Sequence, residues 1–571
     1  MVLRHLPRSL LIFFLIVVAG AHAAPESGTT PTGAEDATLG SLTPRGTRRV
    51  IYNSDLSNTT CHLSELEAKP EELREVVRNY AAEGAIDTLV QEVWHQGWST
   101  FWRTDKCPYD SRLQHEKLVP IMDTGIMPVE IYIDECRQQN IEFIAGFRMN
   151  DRHGHNPDLF AKIAKEHPEW ILTEYNPTSS RTADPRSREL GCAFDFSQQG
   201  VRDWLFSIME EVAHRFDVDG IEFNFTRMIE CFPSDKAEQS HPMMTGFVQR
   251  VRAMLDEAGQ EKGRQLILGV RVPQTIEGNK RWGLDIPTWI TEGLIDYVAP
   301  GDIGFTDFNA KFEEFVRLAR AHDCYVYPQV ECRLGYARFM KSNRTEFQNP
   351  DQYRAVLQNI YGAGADGFST QNYFLLWGPS SIGISGPNFS TPGESGLGRR
   401  GHNYPQALNT LKILRDPNLV AAGDRHYVFC PLWGPGGRGP GDTYHPERIV
   451  LKRDSAGQRG QFRFRMCENL PADSKLDGEK VQIGAMLLCK PGIVPGDEIA
   501  IDINGTPIPT ENIQFQWNDD RGEPPLCRFA LSSPPAVHGD NYLGMKLVKS
   551  APEGQDDIVL HDMEVIVKTA H

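Results

Sequence analysis

Two glutamates sit where this sequence is best placed to do chemistry. Glu222 lies in the run Phe216-Asp217-Val218-Asp219-Gly220-Ile221-Glu222-Phe223-Asn224-Phe225, in which polar and apolar residues alternate from Ile221 onward. That period of two is the pattern of a β-strand, so Glu222 and Asn224 share one face and Ile221, Phe223 and Phe225 the other. Glu331 closes the run Tyr325-Val326-Tyr327-Pro328-Gln329-Val330-Glu331, where the same period puts Tyr327, Gln329 and Glu331 together. A pair of opposed carboxylates is what glycoside hydrolysis requires, one as acid and the other as nucleophile or base. The structural alternative is a polar network, with Glu331 paired to Arg271 or Arg148. Glu222 follows Gly220 by two residues. If it lies too deep, Asn224 takes the rim and Glu92 or Asp302 must supply the second acid.

The elements that position these residues alternate regularly. Strand signals occur at 49–53, 85–94, 141–149, 221–225, 266–272, 295–300, 324–332 and 366–373, with helical segments between them. Eight such repeats predict a parallel (β/α)8 barrel, an α/β fold whose chemistry collects at the C-terminal ends of its strands. Those ends deliver Trp94 and His95, then Arg148, Asn150, Asp151 and His153, then Asn224, Arg271, Asp302, Gln329, Asn372 and Tyr373. These twelve are the expected substrate-binding set. Flat aromatic rings among them, with Trp98, Trp102 and Trp377, suit stacking on sugar faces. Covering the loops that follow the strands is an equally ordinary use for them.

The rest of the chain sets bounds. A length of 571 residues exceeds one ordinary core, and a net charge of -17 disfavours nucleic acid and anionic membranes as partners. Arg4, His5 and Arg8, the apolar run Leu10 to Val18 and Ala21-His22-Ala23 read as a signal peptide over residues 1–23, so the chain is expected to be exported. Residues 24–46 read as a disordered leader and 47–415 as the barrel. Short alternating runs separated by turn residues over 424–571 predict a C-terminal all-β sandwich, with Ile501-Asp502-Ile503-Asn504-Gly505 as a hairpin. An exported chain with eleven cysteines is expected to form some disulfides.

His153 and His155 raise a metal-dependent hydrolase as an alternative. The further ligands such a site needs are not evident beyond His95, so neither a metal nor any other cofactor is expected. There is no G-x-S-x-G elbow for a serine nucleophile.

In combination, Arg148-Met149-Asn150-Asp151, His167-Pro168-Glu169-Trp170, Phe194-Asp195-Phe196-Ser197 with Val201-Arg202, Asp219-Gly220-Ile221, and Arg271-Val272-Pro273 with Gly283-Leu284-Asp285 resemble the glycosyl-hydrolase-like family 10 barrels of exported bacterial proteins. The resemblance spans roughly residues 47 to 415. It implies a (β/α)8 fold and glycan chemistry on a carbohydrate substrate. Related barrels often carry an acid near Asn224, where this chain has an amide, which shifts the expected strand-four acid to Glu222. The same amide admits a carbohydrate-binding barrel without catalysis.

Overall fold

The computed structural model describes residues 43–569 except 56–59, 61–62, 64–66, 96–98, 110–112, 151–165, 173–192, 227–228, 303–305, 335–347, 374–404, 406–407, 431–447, 456, 477–482, 490–491 and 517–524. The expected signal peptide and the leader up to residue 42 lie outside the described residues.

Eight parallel strands form the first layer: β1 (Val50–Ser54), β2 (Thr88–His95), β3 (Glu142–Arg148), β4 (Gly220–Asn224), β5 (Ile267–Pro273), β6 (Tyr297–Gly301), β7 (in two segments, Tyr325–Val326 and Gln329–Glu331) and β8 (Phe368–Gln371). Each pairs with the next, and β8 returns to pair with β1. The two halves of β7 divide the remaining work, the first pairing with β6 and the second with β8. Pro328, which has no N–H, stands between them. The ring is therefore closed, as a (β/α)8 barrel requires.

Helices α1 (Pro70–Asn79), α2 (Pro128–Gln138), α3 (Gln199–Arg215), α4 (His241–Lys262), α5 (Ile286–Thr291), α6 (Glu313–Ala321) and α7 (Pro350–Gly362) follow the strands. Their apolar faces and the outward residues of the strands make the large core. A smaller core fills the barrel itself, from Ile51, Val90, Ile144, Tyr297, Ala299 and Tyr327. Two glycines give the Tyr297 ring and its neighbours room there. A Cβ on Gly269 would lie 2.1 Å from Tyr297 Cζ, and one on Gly146 would lie 3.1 Å from Glu92 Cα. Gly269→Ala is accordingly expected to cost about 1–3 kcal/mol through overpacking. A chemical-denaturation midpoint equal to that of the parent would contradict this.

The C-terminal region is antiparallel. One sheet orders β9 (Arg425–Phe429), β18 (Ile558–Val567), β12 (Ile483–Cys489), β16 (Leu526–Ala530) and β15 (Gln514–Gln516), with β10 (Ile449–Leu451) also on β18. The other orders β11 (Arg459–Met466), β17 (Gly539–Lys549), β13 (Glu498–Ile503) and β14 (Thr506–Pro507). The expected hairpin joins β13 to β14, with Asn504 at φ 52° and Gly505 at φ 81°, the pair of positive values a type I′ turn needs.

This region is bound to the barrel through α7 and α6. Asn349 and Gln352 cap α7 reciprocally, each side chain accepting from the other's backbone N–H. Further along that helix, Asn359 donates to the Arg465 carbonyl at 3.0 Å and accepts from the Cys467 N–H at 2.8 Å. The buried Arg465 guanidinium bonds Asp540 at 3.0 Å and pairs with Glu313 at the start of α6. Gly362 permits the approach, since a Cβ there would lie 2.2 Å from Cys467 Cβ.

Disulfides are absent where they were expected among the described residues. Cys107, Cys136, Cys231, Cys324, Cys332, Cys489 and Cys527 are buried thiols, while Cys61 and Cys192 lie outside the described residues. Burial pushes the Cys107 thiol up to about 12, which leaves it a poor nucleophile.

Candidate active site

Asp219 and Gly220 fix the depth of β4. The Asp219 carboxylate accepts from the Phe143 N–H at 2.8 Å, and Gly220 lets β5 come so near that a Cβ would sit 2.3 Å from the Ile267 carbonyl oxygen. The register then sets two rows across the barrel wall. Glu92, Gly146, Glu222, Gly269 and Tyr297 are successive neighbours in one row. Arg148, Asn224, Arg271 and Ala299 form the next, two residues nearer the C-terminal mouth. Carboxylates thus lie beneath arginines.

Each carboxylate in the lower row is claimed from above. Arg271 Nε donates to Glu222 Oε1 at 2.9 Å and its Nη2 to Oε2 at 3.4 Å, while the Tyr297 hydroxyl donates to Oε2 at 2.8 Å. Burial, reinforced by the Glu222 charge, raises the Tyr297 hydroxyl well above its ordinary range, so it remains a donor. Arg148 Nε bonds Glu92, which also accepts from Asn224 at 3.0 Å and Asn53 at 3.3 Å. Arg148 Nη2 reaches Asp55 at 2.7 Å. Glu222, Glu92, Arg148 and Arg271 are all fully buried. The expectation that Glu222 points freely into the mouth is therefore corrected: it is the base of an arginine-sealed network.

Glu331 is buried as well, at 1% exposure, but stands nearer the mouth, at the terminal residue of β7. Its Oε2 accepts from Asn372 Nδ2 at 2.8 Å and its Oε1 from Arg333 Nε at 2.9 Å, with the Cys332 thiol 3.3 Å away. Asn372 adopts φ 51°, a left-handed conformation immediately beyond β8 that aims its amide at this carboxylate. Such local strain at a strand end is characteristic of binding and catalytic sites. Arg333 retains 16% side-chain exposure while Arg271 has none, so the cover over Glu331 borders solvent and the one over Glu222 does not. Asp302, one residue past β6, is half-buried.

Several expected binding residues serve the framework instead. Trp94 should share the inward face with Glu92, but a register shift between them turns it outward. It packs edge-on against Trp204 of α3 at 5.2 Å, 1% exposed, and is unavailable to a sugar. Trp102 is likewise buried, donating its indole N–H to Glu211 at 2.9 Å. Tyr373 packs against Tyr52 and Tyr353. Asn150 clips the Phe194 backbone, donating to its carbonyl at 3.0 Å and accepting from its N–H at 2.7 Å.

Gln329 repairs the broken strand. Its amide donates to the Ala299 carbonyl at 2.9 Å and the Val272 carbonyl at 3.2 Å, on β6 and β5. Gln329→Leu leaves both acceptors without that donor and is expected to cost about 1–3 kcal/mol. Thermal unfolding unchanged by the substitution would refute this role. Asn224 and Arg271 line the interior as expected, but every contact described above is to protein. His95 ends β2, while its side chain and all of Asp151, His153, His155, Trp98 and Trp377 lie outside the described residues. Among the described residues, no three His, Cys, Asp or Glu side chains converge to hold a metal ion.

Sequence reasoning missed Asp55, whereas Gln371 is legible as a polar residue at the end of strand eight but stands outside the expected binding set. Asp55 continues the period of Ile51 and Asn53 by one step beyond β1, which is the signal that would have found it.

Residues 55–245 match the glycosyl hydrolase-like 10 family. The matched stretch runs from just past β1 through β4 into α4, so it holds Arg148, Glu222 and Asn224 but neither Arg271 nor Glu331. No curated protein matches the chain. Similar solved structures include an α-L-fucosidase isoenzyme from Paenibacillus thiaminolyticus, at 11% identity and TM-score 0.39, with 67% of this chain and 51% of that one covered. An α-amylase from Geobacillus thermoleovorans aligns at 11% identity and TM-score 0.38, covering 87% and 98% of the two chains. A maltogenic α-amylase from Thermotoga neapolitana aligns at 13% and 0.37, covering 86% and 98%. The chain spans about half the length of the fucosidase. Likeness at this level carries no argument about substrate. The barrel stands on its own strand pairing.

Proposed function

We propose that this protein is an exported glycoside hydrolase that cleaves a poly- or oligosaccharide at the C-terminal mouth of its barrel, with Glu331 as the principal carboxylate. The observation that carries the reading is the Glu331 carboxylate at the end of β7, gripped by the left-handed Asn372 and covered by an arginine that borders solvent. The match of residues 55–245 to a glycosyl-hydrolase-like family supports the reaction class. Because Glu222 is sealed, its expected role as partner passes to Asp302, half-buried beside the end of β6, the strand that neighbours β7. One acid protonates the leaving oxygen and the other acts as nucleophile or base, as glycosidic cleavage needs.

A second reading is favoured by one observation. Asn224, an amide, donates to Glu92 at 3.0 Å and accepts from Thr226, which makes strand four a hydrogen-bonded wall without an available acid. That arrangement suits a carbohydrate-binding barrel that does not cleave. Incubation with a panel of oligosaccharides and assay of reducing ends separates the two. Release of reducing sugar supports the hydrolase, whereas binding of a glycan with no release from any member overturns it in favour of the binding barrel.

A further inference from the structure

Gln371 is the last residue of β8 and lies in register with Glu331 on the neighbouring segment of β7. Two residues earlier on each strand, Ser369 and Gln329 are also in register, and both side chains accept from Arg271 in the barrel interior. With a period of two, Gln371 and Glu331 face that same interior one step nearer the mouth. Gln371 is fully buried, and its Oε1 accepts from Arg271 Nη1 at 3.4 Å. Arginine has only donors, so the amide orientation is fixed by chemistry: oxygen toward Arg271, NH2 away from it. That Nε2 has no hydrogen-bond partner. A buried donor left unmade is costly, on the order of 1–3 kcal/mol, and such a group in a native fold calls for an explanation.

The charges around it are already matched. Arg271 is committed to Glu222, Gln329, Ser369 and the Thr370 carbonyl as well as to Gln371, Arg148 to Glu92 and Asp55, and Arg333 to Glu331. Among the described residues, the floor therefore offers an incoming anion no uncommitted cation. It offers a neutral amide donor.

We infer that Gln371 Nε2 is a substrate-binding group that donates to an uncharged oxygen of the sugar ring held beside Glu331, a hydroxyl or an acetamido carbonyl, and that this ring is neutral rather than a uronate. The inference rests on the proposed glycan site and deepens it. An occupied site completes the hydrogen bond that the protein alone leaves open, and Glu331 on the adjacent strand accepts from a neighbouring hydroxyl.

The test is calorimetric titration of the full chain carrying Glu331→Gln, so that no ligand is turned over, with and without Gln371→Met. Cellohexaose, maltohexaose, chitohexaose and hexagalacturonate are the probes. Methionine keeps the length of the side chain and removes the donor, together with a long-range acceptor that Arg271 Nη1 can forgo because it retains Gln329 Oε1 and the Thr370 carbonyl. The expected result is binding of at least one neutral hexamer, weakened about tenfold by Gln371→Met, with the melting temperature unchanged or raised because an unmade donor has gone. A structural role would instead lower the melting temperature. Chitohexaose alone among the binders assigns the donor to an acetamido carbonyl, and cellohexaose or maltohexaose assigns it to a hydroxyl. Unaltered affinity in the Met variant overturns the inference while leaving the glycan site standing, as does preference for hexagalacturonate. No binding by any hexamer overturns both.

Discussion

Glu331→Gln should lower the rate of reducing-sugar release by about 10³-fold, within the range expected when a catalytic acid or base is removed. Glutamine keeps an oxygen for the Asn372 amide and gives up the charge pairing with the partly exposed Arg333, so folding should be preserved. The informative comparison is Glu222→Gln. Its carboxylate touches Arg271 and Tyr297 beneath the mouth, so its loss leaves the Arg271 charge unpaired and lowers stability, while turnover per folded molecule should fall by no more than about tenfold. Steady-state kinetics on whichever oligosaccharide the parent cleaves decides between them. If Glu222→Gln abolishes release and Glu331→Gln does not, the two glutamates exchange roles.

Arg271→Met is expected to destabilise the barrel by about 3–5 kcal/mol, because it leaves the Glu222 charge buried without its counter-ion. Adding Glu222→Gln to the same chain should recover much of that loss, since the stranded charge is then gone. The pair are in contact, so the double variant should depart from additivity by a large part of the single effect. Denaturant unfolding followed by tryptophan fluorescence reads all three variants. A loss below about 1 kcal/mol for Arg271→Met would mean that water or a rearranged side chain reaches Glu222, and the sealed network would have to be abandoned.

The contrast between the two glutamates marks how far the sequence could be read. All eight barrel strands were legible because each combines an apolar run with a period of two, and the helices between them carry glycine, proline and acidic punctuation. The hairpin at Asn504-Gly505 was legible for a similar local reason. Trp94 was not, because a single irregularity after Glu92 reversed the face of every later residue in β2, and no residue there announces it. The sealing of Glu222 was legible only as a possibility, from its nearness to Gly220. Which arginine covers which acid depends on the register between strands far apart in sequence. Gln329 and Asn150 looked like substrate contacts for the same reason: an amide at a strand end serves a ligand or a stray carbonyl equally well, and only the fold says which.

The break in β7 gives the barrel wall an uneven resistance to local opening. Seven strands are continuous, but at Pro328 the ladder changes sides, and Gln329 bridges the seam with a side chain. Excursions that part the wall should begin there, at a free energy below that of global unfolding, because fewer backbone hydrogen bonds must be surrendered at once. Glu331 stands two residues beyond Gln329. The fluctuation least costly to the barrel should thus be one that reaches this carboxylate, and amide hydrogen exchange faster at Val330 and Glu331 than on β4 and β5 would show it.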